Sequence, residues 1–198
     1  MVIMLSVNGE EDHIRYPASQ TAERHATILA CASRLLREEG LSGVSVSAIM
    51  RAAGLTHGPF YDHFASKRVL VSDSLAHASA QAIEELQGFE GSARGRASFV
   101  DYYLSTAHRD DRGRGCIVAA LGAEATRDPA ARRVVADHVR LLLDHLERQF
   151  PWERDPPREA IVALAAMVGA LVMARVVDDD TLSQAILRHV RDSLAATR

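Results

Sequence analysis

The chain is poor in cysteine and tryptophan, with two Cys and one Trp among 198 residues. Cys31 and Cys116 cannot form the disulfide framework of a small secreted domain, so a reducing cytoplasm is the expected setting. No stretch alternates apolar and polar residues with the period of two that a half-buried strand requires, which sets sheet folds aside. Internal repeats and low-complexity runs are missing. So are the compact signatures of catalysis: the nucleophile elbow, the phosphate-cradling glycine loop, the His-Glu-x-x-His helix and paired Cys motifs. Nine histidines raise the question of a metal. His138 and His145, however, stand two helical turns apart, roughly 10.5 Å, too far to share one ion. The triplet Asp178-Asp179-Asp180 reads as a helix cap, because the remaining oxygen ligands of a calcium loop are absent. No enzyme, metal or cofactor is expected. Met1 to Val7 is apolar but lacks a basic flank and a small-residue cleavage site, so it is not read as a signal peptide. The apolar stretch from Ala160 to Val177 contains Gly169 and Arg175 and ends in acids; it reads as a buried interface helix and not as a membrane span.

What the chain does have is helical periodicity and a mild charge asymmetry. Net charge is −3. Between Thr21 and Arg68, six basic residues face four acidic ones, while both flanks are net acidic. A basic head on an acidic body suits a head that meets phosphates. Residues 1–20, with Pro17, are expected to form a loosely attached, disordered arm. From Thr21, the residues Ile28, Leu29, Ala32, Leu35 and Leu36 share one face of a helix that Gly40 should end. Ser45 and Ser47 are both plausible caps for the next helix, which carries Val46, Ile49, Met50 and Ala53 and stops at Gly54. Thr56 is expected to cap a third, short helix with Pro59 in its first turn. Ser66 caps a long fourth helix. Further helices are expected through Phe99–Leu104, Cys116–Thr126, Pro129–Arg148, Arg158–Val177 and Thr181–Ala195.

Val46 to Leu70 carries the function. A helix, a turn on Gly54 and a second short helix make a helix-turn-helix. Phe60 and Phe64 are four apart and should plug into the first helix, leaving His57, Gly58, Tyr61 and His63 outward. Hydroxyl and imidazole groups suit phosphate oxygens and base edges. Ser45, Ser47 and Thr56 would offer hydroxyls and N–H groups to phosphate, and Lys67 a point charge. The run A-G-L-T-H-G-P-F-Y-D-H-F-x-S-K-x-x-L resembles the DNA-binding signature of the TetR/AcrR family of transcriptional regulators, through Gly54, Tyr61, His63, Phe64, Ser66, Lys67 and Leu70. It departs from common family residues at His57 and Pro59, so an operator sequence does not carry over.

The resemblance implies an all-α fold: a three-helix head over 21–66, and a ligand-binding, dimerising body over 67–198. It also implies a cytoplasmic homodimer on double-stranded DNA, usually repressing, with a small-molecule effector and no membrane partner. The last two helices support a dimer independently, with Ile161, Val162, Leu164, Ala165, Val168, Leu171 and Val172 on one and Leu182, Ile186, Leu187, Val190 and Leu194 on the other. The same residues could instead face their own monomer's core. Candidate effector contacts are Phe89, Phe99, Tyr102, Tyr103, His108, Leu121, His138, Leu142, Met167 and Met173, a mixed wall suited to a flat apolar ligand. Cys116 follows Arg112-Gly-Arg114-Gly and opens a helix, a setting that activates thiols. Gly115 to Glu124 is similar to a subgroup in which a Gly-Cys pair opens this helix and some members answer oxidants or electrophiles; the alternative is a small buried helix-start residue. A helical adaptor that binds protein instead of DNA is the remaining class.

Overall fold

The structure is a computed structural model that describes residues 18–196, so most of the expected arm lies outside the described residues. Among the described residues there are ten helices and no strand: α1 (Ala18–Glu39), α2 (Val46–Ala52), α3 (Phe60–His63), α4 (Lys67–Gln87), α5 (Ala93–Tyr103), α6 (Thr106–Asp110), α7 (Ile117–Ala125), α8 (Pro129–Gln149), α9 (Pro156–Val176) and α10 (Asp180–Ala196).

The first four helices end and start where local chemistry requires. Ile28, Ala32 and Leu36 form the fully buried stripe of α1. Gly40, at φ +87, donates its N–H to the Leu36 carbonyl at 2.9 Å, a left-handed stop that glycine adopts without strain. Ser45 alone caps α2, its Oγ accepting from the Ala48 N–H. Ser47 is the second residue of the helix, inside its first turn, so its expected capping role falls away. At the other end Gly54, at φ +71, bonds Arg51 O while Leu55 N–H reaches Met50 O at 2.9 Å. That pair of bonds turns the chain through the Schellman geometry, with Leu55 packed against the head core. Thr56 does not cap α3: Pro59 occupies the cap position and no side chain bonds there. Ser66 caps α4 through the Val69 N–H, as expected. The five-residue helix α6 was not anticipated, because one turn shows no periodicity; Ser105 caps it through the His108 N–H.

Two cores organise the molecule. One gathers Ile28, Leu36, Ile49, Met50, Phe60, Phe64, Leu70 and Leu75 with Ile117, Leu121, Ala125, Ala131 and Val135. Helices α7 and α8 thus complete the core of the head, which is continuous across residue 66. The other joins Leu86, Phe99, Tyr103, Leu104, Cys116, Leu142, Leu146, Met167, Leu171 and Leu187. Each large side chain buried this way contributes about 1.5–3 kcal/mol relative to exposure. Helix α9 is long and apolar enough to cross a membrane by length and composition alone. Here one face of it, Ala160, Ala163, Leu164, Met167, Ala170, Leu171 and Ala174, is buried in the second core. Its other face leaves Ile161, Val162, Val172, Met173 and Val176 exposed. One face of this helix thus packs on its own monomer's core, and the other is exposed.

Candidate nucleic-acid interface and sensing core

In α3 the sequence F-Y-D-H buries Phe60 and leaves Tyr61 and Asp62 exposed. Phe60 and Phe64 are each 2% exposed, their rings 5.9 Å apart, and they pin the helix to the head core. Tyr61, between them, is 71% exposed. His57 is exposed 6.5 Å from the Tyr61 ring. Gly58 is exposed, and a Cβ there would meet nothing within 4 Å, so it is part of an open surface. Ser45, Ser47 and Thr56 are exposed on the same head, and Lys67 is half-buried at the first turn of α4. The candidate DNA residues so far share an accessible head surface. His63 departs from the expectation. It is half-buried and lies 5.8 Å from His25 of α1, whose ring stacks on Phe64 at 4.6 Å. Burial first, then the nearby His25, lowers the His63 pKa. His25 carried no motif and was missed; its place four residues before Leu29 on a helix that crosses α3 is a tertiary fact.

The body residues divide. Phe99, Tyr103, Cys116, Leu142 and Met167 belong to one core. His108 joins them, its ring edge-on to Tyr103 at 4.7 Å and stacked on Tyr102 at 5.6 Å. Phe89 packs edge-on to Phe99 at 5.4 Å. Leu121 sits in the head core instead, because α7 turns that face toward α1 and α4. His138 is bonded to Ser79 between α4 and α8 at 2.9 Å, and Met173, 51% exposed, faces away on the outer side of α9. These three do not join the others around Cys116.

The hydrogen bonds around His108 fix its tautomer. Nδ1 lies 2.7 Å from the Tyr103 carbonyl, which can only accept, so Nδ1 carries the proton. Nε2 is then free to accept the Cys116 N–H at 3.2 Å. Burial lowers the His108 pKa and keeps this neutral form. Arg175 donates to the carbonyls of Arg109 and His108 at 2.9 and 3.0 Å. Its guanidinium approaches so closely that a Cβ on Gly115 would lie 2.7 Å from Nη2, which explains the glycine. Arg37 of α1 donates to the Gly115 carbonyl at 3.1 Å. The Tyr103 hydroxyl is buried without a hydrogen-bond partner among the described residues, and burial with the adjacent Cys116 pushes its pKa well up. Cys116 thus lies among Tyr103, His108, Arg37 and Arg175. Arg37 and Arg175 are the cations hydrogen-bonded to the backbone beside it, whereas the sequence pointed to Arg112 and Arg114.

Two links join this core to the head. Arg37 is one. Glu124 of α7 is the other: its carboxylate accepts the Leu41 N–H at 2.8 Å, just beyond the turn at Gly40.

Comparison with known proteins agrees with this geometry. Residues 28–73 match the family described as bacterial regulatory proteins, tetR family. The HTH-type transcriptional repressor NemR of Escherichia coli is 25% identical over 185 residues, covering 85% of this chain and 92% of NemR. An HTH-type transcriptional regulator of Mycobacterium tuberculosis is 24% identical over 180 residues, covering 85% of this chain and 93% of the relative. The crystal structure of reduced E. coli NemR matches with TM-score 0.73 at 22% identity, covering 89% of this chain and 98% of that one. A TetR regulator from Chloroflexus aurantiacus also gives 0.73, at 24% identity over 89% and 94%. With residues 28–73 matched to the tetR family and the fold matched over most of its length, the chain is similar to the helix-turn-helix transcriptional regulators of that family.

Proposed function

We propose that the protein is a cytoplasmic, homodimeric repressor that binds a near-palindromic duplex and leaves it when the body binds a small apolar or aromatic effector. The observation that carries the DNA contact is Tyr61, fully presented between two buried phenylalanines that hold its helix rigid. Tyr61, His57 and Gly58 read base edges; Ser45, Ser47, Thr56 and Lys67 hold phosphates. The exposed face of α9, from Ile161 to Val176, pairs with its symmetry mate, and α10 adds Leu182. Two heads then meet successive turns of DNA, roughly 34 Å apart. The effector inserts among Phe99, Tyr102, Tyr103, His108, Leu142 and Met167. It favours a second arrangement of α7 and α4, which pulls on the head through Glu124 and Arg37.

A second reading makes Cys116 the sensor. Its support is the cluster of Arg37, Arg175, His108 and the unpartnered Tyr103 hydroxyl around the thiol. Selection of a random duplex pool by the purified protein tests both readings. Enrichment of a palindrome supports the regulator. Loss of that binding with a mild oxidant, absent in Cys116→Ser, selects the thiol reading. Loss with an aromatic ligand in both proteins selects the effector. No enrichment in any condition favours a protein-binding adaptor.

A further inference from the structure

Between α1 and the recognition helix lies a pair of imidazoles that neither the motif nor the sensing core uses. His25 covers Phe64 in a stack at 4.6 Å and 22°. Its ring is 5.8 Å from His63, at the last turn of α3, and His63 is itself 6.3 Å from Phe64. Both residues are half-buried. They stand on the flank of the short helix that presents Tyr61, with His57 in the turn just before it. Two imidazolium ions at this spacing would repel each other, and after burial the neighbouring His25 is what disfavours a charged His63. Arg24 on α1 adds to that opposition, and Asp62 on α3 partly offsets it. Duplex DNA brings a row of phosphates, the charge the pair lacks.

We propose that His25 and His63 act as one proton-binding element at the DNA face, with His25 positioning His63 and the pair taking up a proton when a phosphate docks against α3. This rests on the DNA-binding reading of the head. DNA binding then carries a proton with it. At constant ionic strength, affinity rises as pH falls, by up to about tenfold per pH unit between the free and DNA-bound titrations of the pair. His63 is the group that receives the phosphate. His25, through its ring stack, sets the height and tilt of the His63 imidazole and its readiness to charge.

Equilibrium binding of the full chain to the duplex enriched from the random pool, between pH 5.5 and 8.5 at fixed salt, tests the proposal. Proton resonances of the imidazoles in the free protein are followed in parallel. In the wild type, affinity should climb as pH falls. His63→Gln should flatten that slope. His25→Phe keeps a ring on Phe64 but removes the neighbouring imidazole, so the slope should persist with its midpoint moved to higher pH, and the free His63 titration should move the same way. His57→Gln, at the DNA face itself, should lower affinity at every pH and leave the slope to His63. Far-ultraviolet circular dichroism confirms that each variant is folded. A slope that vanishes with His57 instead of His63, or His63 titration indifferent to His25→Phe, overturns the pair. Binding without any pH slope also overturns it while leaving the DNA reading standing. Absence of binding at every pH removes the DNA reading and the pair's role with it.

Discussion

The head and the body of this chain are both packed helices, yet they use their side chains in opposite ways. In the head, polar residues that matter are exposed and the apolar ones beside them are sealed: Tyr61 outward, Phe60 and Phe64 inward. In the body, the polar groups that matter are buried or half-buried and bonded to one another's backbone, as with His108, Cys116 and Arg175, while apolar residues such as Ile161 and Met173 are exposed. A surface that meets water and DNA in turn keeps its polar groups solvated until the partner arrives. A core that answers a signal needs polar groups already committed, so that disturbing one disturbs its partners. The exposed apolar face of α9 is the surface to which the proposed dimer is assigned.

The largest effect should come from breaking the sealed side of the head. Phe60→Ala removes a fully buried ring and should cost about 3–5 kcal/mol of stability. Denaturant unfolding measures it, and the loss should fall on the cooperative unfolding of the head core, α7 included.

Next is the exposed side of the body. Ile161→Glu places a charge in the face assigned to the dimer, where burying it unpaired is costly. Sedimentation should find a monomer, whereas Met50, buried in the head core, is no part of that face. A dimer that survives Ile161→Glu would move the interface elsewhere.

A third effect separates the two regions by pH. His138, bonded to Ser79 in the body, has its pKa lowered by burial to about 4. Its folded value lies below the unfolded one near 6.5. The unfolded state therefore binds more protons as pH falls, and stability that is complete above the unfolded value is lost on descending from there toward 4. The slope approaches about 1.4 kcal/mol per pH unit for one group. Chemical unfolding at stepped pH should show it, and His138→Gln should reduce it, leaving the contributions of His108 and His63, whose pKa values burial also lowers.

The smallest effect belongs to a single phosphate contact. Lys67→Ala should weaken binding to all duplexes alike and lower the salt slope of log K by about one, with stability unchanged. A change confined to one DNA sequence would place Lys67 at a base instead.

How much of this was legible in the sequence divides along the same line. The head could be read because its devices are local: Gly40 and Gly54 stop helices, Ser45 and Ser66 start them, and Phe60 and Phe64 are one turn apart. Its errors were local ambiguities. Ser47 and Thr56 are chemically able to cap, but Ser45 and the proline geometry at Pro59 settle those ends first. His63 was read outward because nothing near it in sequence shows that α1 brings His25 alongside. The body was legible only as helices. Leu121, His138 and Met173 lie on apolar faces like those of Leu142 and Met167. Which core each face meets depends on helix packing over long separations, and α7 turns toward the head. Arg37 and Arg175 reach the Gly115 and His108 carbonyls from helices far away in sequence. No spacing rule could have named them.

The most direct test of the central claim is the affinity of Tyr61→Ala for the enriched duplex, measured beside its thermal unfolding. Tyr61 is held by the fold but does little to hold it. The account predicts a loss of at least about tenfold in affinity, the scale of one good recognition contact, with the melting temperature unchanged. Unchanged affinity would contradict it and take the recognition surface away from α3.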